Sequence, residues 1–223
     1  MKPAFRLFLS PTIILLAAAC GLSSCSLLSS NVIRLNPEIE RQHFNPASPP
    51  VGVDLEHEDI DTQWKFGETA TVQYEFEDKQ QLGDGWFVKI KVTGVKMALS
   101  CKVSVFVPEG APQGLEEHAD GHVAIIKRVY DDADRAAREA AASVTGVVFA
   151  GEGKTLEEAC DQAVADAKLR IARVYSSKTA EVVNDVAGIY DYLQCAPNAV
   201  AKGSVREAFD EYAKGKPKRL KAH

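Results

Sequence analysis

The alternation of apolar and polar residues over positions 86–103 constrains the fold more than any other feature of the sequence. Successive side chains of a β-strand point to opposite faces, so a period of two indicates strands with one buried face. The apolar positions change phase at Gly94-Val95, as a two-residue turn with glycine first would require. The pattern predicts a hairpin in which Ile90 faces Leu99. The other expected pairs are Val92 with Met97, Val88 with Cys101 and Trp86 with Val103.

The flanking patterns predict an α+β fold. Residues 70–76 alternate as a strand does, and the apolar run over residues 122–129 predicts a further strand. Helical spacing follows, much of it marked by alanine. We therefore expect an antiparallel β-meander followed by alanine-rich amphipathic helices, in a single domain over residues 61–216. The expected helices begin near Asp131 or Asp132, at a capping box of Thr155 and Glu158, near Val182, and at a second capping box of Ser204 and Glu207.

The first 24 residues have the layout of a secretory signal peptide. Lys2 and Arg6 precede an apolar run over residues 7–19. An uncleaved transmembrane anchor is the alternative, but it needs about 20 apolar residues. Pro11 and the polar serines after Gly21 make the segment short for that role.

The segment Leu22-Ser23-Ser24-Cys25 resembles the lipobox of bacterial lipoproteins. The resemblance implies cleavage after residue 24 and lipid on the Cys25 thiol, with Cys20 as the alternative site. It also implies a membrane partner and a location on the cell membrane or outer membrane, facing the periplasm or the exterior. Residues 26–50 show no sustained period, so we expect a lipidated cysteine followed by a flexible tether over residues 25–60.

Composition and charge restrict the possible partners. The chain is 46% hydrophobic and 26% charged, which is enough for a globular core. Cleavage after residue 24 leaves 24 basic residues against 31 acidic ones, and an acidic body is a poor nucleic-acid binder. The basic tail, residues 217–223, could contact anionic lipid or cell-wall polymer. Three cysteines would remain beside the lipidated one, and spacing leaves their pairing open: Cys101, Cys160 and Cys195.

The residues nearest to a metal-site pattern are His118, Asp120 and His122, within the acidic segment 116–122. Gly121 favours a loop there, which would not hold both imidazoles on one helix face. A second acidic run, residues 54–61, lacks the glycine and the ligand spacing of an EF-hand. We therefore expect no metal ion or other cofactor.

The sequence Gly151-Glu152-Gly153-Lys154-Thr155 looks like part of a phosphate-binding loop. The first glycine of that motif would fall at Val148, so we interpret the segment as a strand-to-helix turn capped by Thr155. A strand ending in Gly-x-Gly before an alanine-striped helix, over residues 144–175, resembles small α+β domains of periplasmic and flagellar-assembly lipoproteins.

These observations favour a membrane-anchored envelope lipoprotein that acts as a non-catalytic binding or assembly module. Its expected partners are the membrane, through the lipid, and an envelope protein or cell-wall component. The alternative is a periplasmic metal-dependent hydrolase that uses the segment 116–122.

Overall fold

A computed structural model of the chain describes residues 31–53, 60–195 and 204–215. The signal peptide, Cys20, Cys25, most of the acidic run 54–61 and the basic tail lie outside the described residues. The elements in chain order are β1 (Asn31–Arg34), β2 (Glu38–Phe44), β3 (Asp61–Leu82), β4 (Gly85–Pro108), α1 (Gln113–Asp131), α2 (Ala133–Ala142), β5 (Val148–Gly153), α3 (Leu156–Lys178), α4 (Ala180–Cys195) and α5 (Val205–Ala213).

Strand β4 organises a five-stranded mixed sheet. Strand β3 pairs antiparallel with it along nearly its whole length. The remaining strands pair with successive parts of β4: β5 antiparallel with residues 86–91, β1 parallel with 96–99 and β2 parallel with 102–108. The predicted antiparallel meander is therefore wrong. The two parallel strands, β1 and β2, lie in the segment that was predicted to be a tether.

The predicted hairpin at Gly94-Val95 is also wrong, because both residues lie inside β4. Val92 pairs with Tyr74 and Gly94 with Gln73, so Thr93 is an extra residue in the strand. Such a β-bulge shifts the alternation by one position without reversing the chain. The actual turn between β3 and β4 is Gly83-Asp84, where Gly83 has a φ of +59°.

Residues 31–34 and 38–44 are strands rather than tether, and Arg34 fastens this segment to the helical layer. The Arg34 guanidinium donates a hydrogen bond to the Tyr130 carbonyl oxygen (2.9 Å) and lies 3.3 Å from Asp134. The Tyr130 hydroxyl in turn donates to the Leu35 carbonyl oxygen (2.9 Å). Any flexible tether therefore ends before Asn31.

The strand predicted over residues 122–129 is instead the second half of α1. Its buried residues follow helical spacing once the residues before and after this run are included: Ala119, Gly121, His122, Ile125, Ile126, Val129 and Tyr130. The two predicted capping boxes, at Thr155 and at Ser204, are both confirmed. Among the described residues, no helix combines the length and apolar character needed to cross a bilayer.

The core lies between one face of the sheet and the helices. Its larger part joins β4 to helices α1, α2, α3, α4 and α5. A smaller cluster packs Val88 and Ile90 of β4 against alanines of α3. Glycine makes this approach possible, since a Cβ on Gly151 would overlap the Ala159 carbonyl oxygen and lie 2.8 Å from the Ala163 nitrogen.

Candidate functional site

Helices α1 and α4 bring together three side chains that can bind a ligand. His118 and His122 lie one turn apart on α1, and Asp191 approaches them from α4. The loop predicted over residues 116–122 is therefore wrong. Gly121 is inside the helix, and its lack of a side chain admits Tyr190, whose hydroxyl would overlap an added Cβ. The glycine serves a close helix–helix approach rather than a turn.

The polar atoms of the three residues converge. His118 Nε2 lies 3.1 Å from His122 Nε2. Asp191 Oδ1 lies 3.3 Å from the first nitrogen and 2.9 Å from the second. We call these three residues the α1–α4 cluster.

Of the three residues singled out by sequence, Asp120 does not join the α1–α4 cluster. Its carboxylate pairs with Arg41 of β2, which also lies 3.9 Å from Glu116. Asp191 takes the place expected for Asp120. No local pattern marks it, because its partners lie on a helix far away in the chain.

Aromatic packing fixes the orientation of both imidazoles. The His118 ring stacks on Tyr190, with ring centres 5.2 Å apart and an interplanar angle of 18°. His122 meets the same ring edge-on at 5.4 Å. The side chain of His122 is 10% exposed and that of His118 is 21% exposed. The site is thus preformed at the margin of the core and retains access to solvent.

The environment of Asp191 holds its carboxyl group ionised. Burial raises the pKa of this group, but the polar contacts and charges of His118 and His122 outweigh that effect and lower it to about 2. Within the described part of the chain, Oδ1 is nevertheless buried without a hydrogen-bond partner. Oδ1 therefore lies 2.9 and 3.3 Å from two imidazole nitrogens in a geometry that suits a shared cation better than a hydrogen bond.

The Gly151–Thr155 segment does not form a phosphate-binding loop. Glu158 Oε2 accepts hydrogen bonds from the backbone nitrogens of Lys154 (2.8 Å) and Thr155 (3.4 Å). The Thr155 side chain accepts from the Glu158 nitrogen. A carboxylate therefore already occupies the N–H groups that a phosphate would need.

The cysteines described with their side chains are buried core residues. Cys101 and Cys160 are both free thiols, and they belong to different core clusters. Burial raises the pKa of the Cys101 thiol to about 11. This thiol is therefore unsuited to nucleophilic chemistry near neutral pH. The side chain of Cys195 lies outside the described residues.

Two surface cavities lie away from the α1–α4 cluster. One, of about 500 Å³, lies beside the β3–β4 turn and includes Trp86 and Lys154 in its lining. The other, of about 270 Å³, lies at the helical end of the molecule beside Arg128 and Phe209. Neither cavity is lined by His118, His122 or Asp191.

The chain was compared with protein-family models, curated proteins and solved structures. No protein-family model matches the chain, and no curated protein or solved structure shows significant similarity to it.

Proposed function

We propose that the chain is a lipid-anchored bacterial envelope protein whose folded body is a non-catalytic binding module, with the α1–α4 cluster as its binding element. The observation that carries the binding proposal is the buried Asp191 Oδ1, which has two imidazole nitrogens within 3.3 Å but no hydrogen bond among the described residues. A contact that serves only helix packing gains nothing from such an atom. A bound ligand would satisfy it.

The anchor proposal rests on the N-terminal sequence and on the position of the first strand. Lys2 and Arg6, the apolar run and the lipobox-like segment are typical of a lipoprotein precursor. If Cys25 is lipidated, only residues 26–30 separate it from β1. At about 3.3 Å per residue, that link spans at most about 20 Å, so the body would stay close to the membrane surface.

Labelling with radioactive palmitate tests the anchor. We expect the wild type and the Cys20→Ser variant to incorporate label and to sediment with membranes. We expect Cys25→Ser to lose both properties, because the acylated thiol is then missing. Label that persists in Cys25→Ser but not in Cys20→Ser would move the site to Cys20. Label that is absent from the wild type would refute the anchor.

A metal-dependent hydrolase is the second candidate, and the helical spacing of His118 and His122 favours it. Zinc peptidases place two histidines four residues apart on a helix, with a glutamate after the first histidine as general base. Here Ala119 occupies the glutamate position and is fully buried. The non-catalytic module is therefore the better match. Hydrolysis of peptide or ester substrates by the full-length protein, lost in Asp191→Asn but not in Asp120→Asn, would instead support the hydrolase.

A further inference from the structure

We infer that His118, His122 and Asp191 bind one divalent first-row transition-metal ion of the zinc type, through two imidazole nitrogens and one carboxylate oxygen. At least one coordination position remains for solvent or for a further ligand. This inference names the ligand of the proposed binding module and rests on that part of the proposed function. It does not depend on the lipid anchor.

The distances between the three atoms match those between ligands that share one ion. Zinc lies about 2.0–2.2 Å from nitrogen and carboxylate ligands. Two ligands at about 2.1 Å are then about 3.0 Å apart at a right angle and about 3.4 Å apart at a tetrahedral angle. The three observed separations are 2.9, 3.1 and 3.3 Å. One ion can therefore contact all three atoms with little movement of either helix.

A cluster held only by hydrogen bonds accounts for fewer of these contacts. The two imidazoles can share a proton between their Nε2 atoms. That bond leaves Asp191 Oδ1 without a partner in the described structure, because neither imidazole meets it with hydrogen-bond geometry. The Asp191 oxygen thus approaches both imidazole nitrogens closely without a hydrogen bond to either. A cation between the three atoms satisfies all three.

The surroundings of the cluster support a preformed site. Tyr190 packs against both imidazoles, and Gly121 permits that contact. Arg41 engages Asp120 and approaches Glu116, so these neighbouring carboxylates have a partner of their own. Among the described residues, the ligand set thus consists of two nitrogens and one oxygen.

This donor set selects a class of metal. Calcium and magnesium prefer ligand sets made entirely of oxygen. Imidazole nitrogen suits zinc, copper, nickel and iron, and cobalt substitutes for zinc as a spectroscopic probe. A zinc ion with three protein ligands keeps a fourth position for water or another ligand, whereas structural zinc sites have four protein ligands.

The test uses the full-length protein, purified in mild detergent, stripped with a chelator and dialysed. Zinc is then added and counted by elemental analysis, and cobalt is titrated while visible absorption is recorded. We expect one equivalent of either metal, competition between them, and no comparable binding of calcium or magnesium. Melting temperature should rise with zinc, because the metal binds only the folded site.

Variants assign the ligands. Asp191→Asn and His122→Gln should each weaken zinc binding by about 100-fold or more, because loss of even an outer-shell partner costs about 10- to 100-fold. Asp120→Asn on the same helix turn and His43→Gln on β2 are matched controls and should bind like the wild type. Circular dichroism of the metal-free variants shows whether each one folds. If a variant does not fold, the zinc stoichiometry and the cobalt spectrum of the wild type still show whether the protein binds one metal ion.

Two results would overturn the metal site: a wild type without stoichiometric zinc or cobalt, or binding that survives both ligand substitutions in one folded chain. Failure of the anchor is distinguishable from either. Zinc binding without palmitate label refutes the envelope location and leaves the metal site standing. Palmitate label without metal binding refutes the metal site and leaves the lipid anchor standing.

Discussion

Substitution of Gly151 tests whether close packing explains the glycines at the end of β5. A Cβ at this position would overlap the Ala159 carbonyl oxygen and lie 2.8 Å from the Ala163 nitrogen. Both atoms belong to the backbone of α3, so no side-chain rotation relieves the overlap. The helix must retreat by on the order of 1 Å, which forfeits a quarter to a half of the dispersion energy of the contacts it opens.

The expected cost of Gly151→Ala follows from that displacement. The smaller core cluster includes Val88 and Ile90, both fully buried beneath α3. Overpacking of a core costs about 1–3 kcal/mol, and a backbone overlap belongs at the upper end, about 3 kcal/mol. For a domain of this size, that lowers the melting temperature by about 6–12 °C. Thermal and urea unfolding followed by circular dichroism measure both quantities.

Gly188 in α4 is the matched control. It is exposed, and a Cβ there would meet nothing within 4 Å. Gly188→Ala should stabilise the protein by about 0.5–1 kcal/mol, because alanine favours the helix. The two substitutions are thus expected to have opposite signs. A Gly151→Ala variant within about 0.5 kcal/mol of the wild type would refute the packing explanation and reopen a ligand-binding role for this glycine segment.

Two further predictions concern β4. Ile90→Ala should lower the free energy of unfolding by about 2–5 kcal/mol, through loss of burial and creation of a cavity. Lys89→Ala, on the exposed face, should change it by no more than about 0.5 kcal/mol. Equal small losses in urea titrations of both variants would contradict the observed burial. Cys101, which is 2% exposed, should resist alkylation in the folded protein at pH 8. Because its folded pKa of about 11 exceeds the ordinary value of 9.0, only the unfolded chain releases the thiol proton between these values, so the free energy of unfolding should fall as pH rises through that window. Rapid alkylation before unfolding would contradict this assignment.

The sequence located the buried positions of β4 more reliably than its course. Ile90 and Leu99 are both buried on one face, as the alternation indicates. A change of phase has two physical causes, a two-residue turn or a one-residue bulge, and the pattern of apolar residues is the same for both. Glycine at position 94 favoured the turn. The bulge at Thr93 is visible only in the pairing with β3.

Strands β1 and β2 escaped prediction because they bury little. In β2 only Phe44 is buried, so no apolar alternation marks the strand. Its place in the sheet depends on backbone pairing with β4 and on Arg41, which reaches α1. By contrast, the helix starts at Thr155 and Ser204 were predicted correctly, because a capping box is a local interaction of side chain with backbone.

Two of the three residues of the α1–α4 cluster could be found from the sequence. His118 and His122 are four residues apart, which is one helical turn, but Gly121 between them suggested a loop. The helix tolerates this glycine because Tyr190 fills the space beside it. Asp191 could not be found from local spacing, since its position depends on how α4 packs on α1. The expectation of no bound metal rested on the predicted loop over residues 116–122. Because these residues form a helix, that reason no longer applies.

The zinc X-ray absorption spectrum of the loaded full-length protein tests the central claim most directly. It reports the elements around the ion, their distances and the scattering signature of imidazole rings. The proposed site predicts two imidazole ligands, with nitrogen and oxygen neighbours at about 2.0–2.2 Å. A spectrum without imidazole scattering, or one dominated by sulfur at about 2.3 Å, would contradict the assignment of His118, His122 and Asp191 as the ligands.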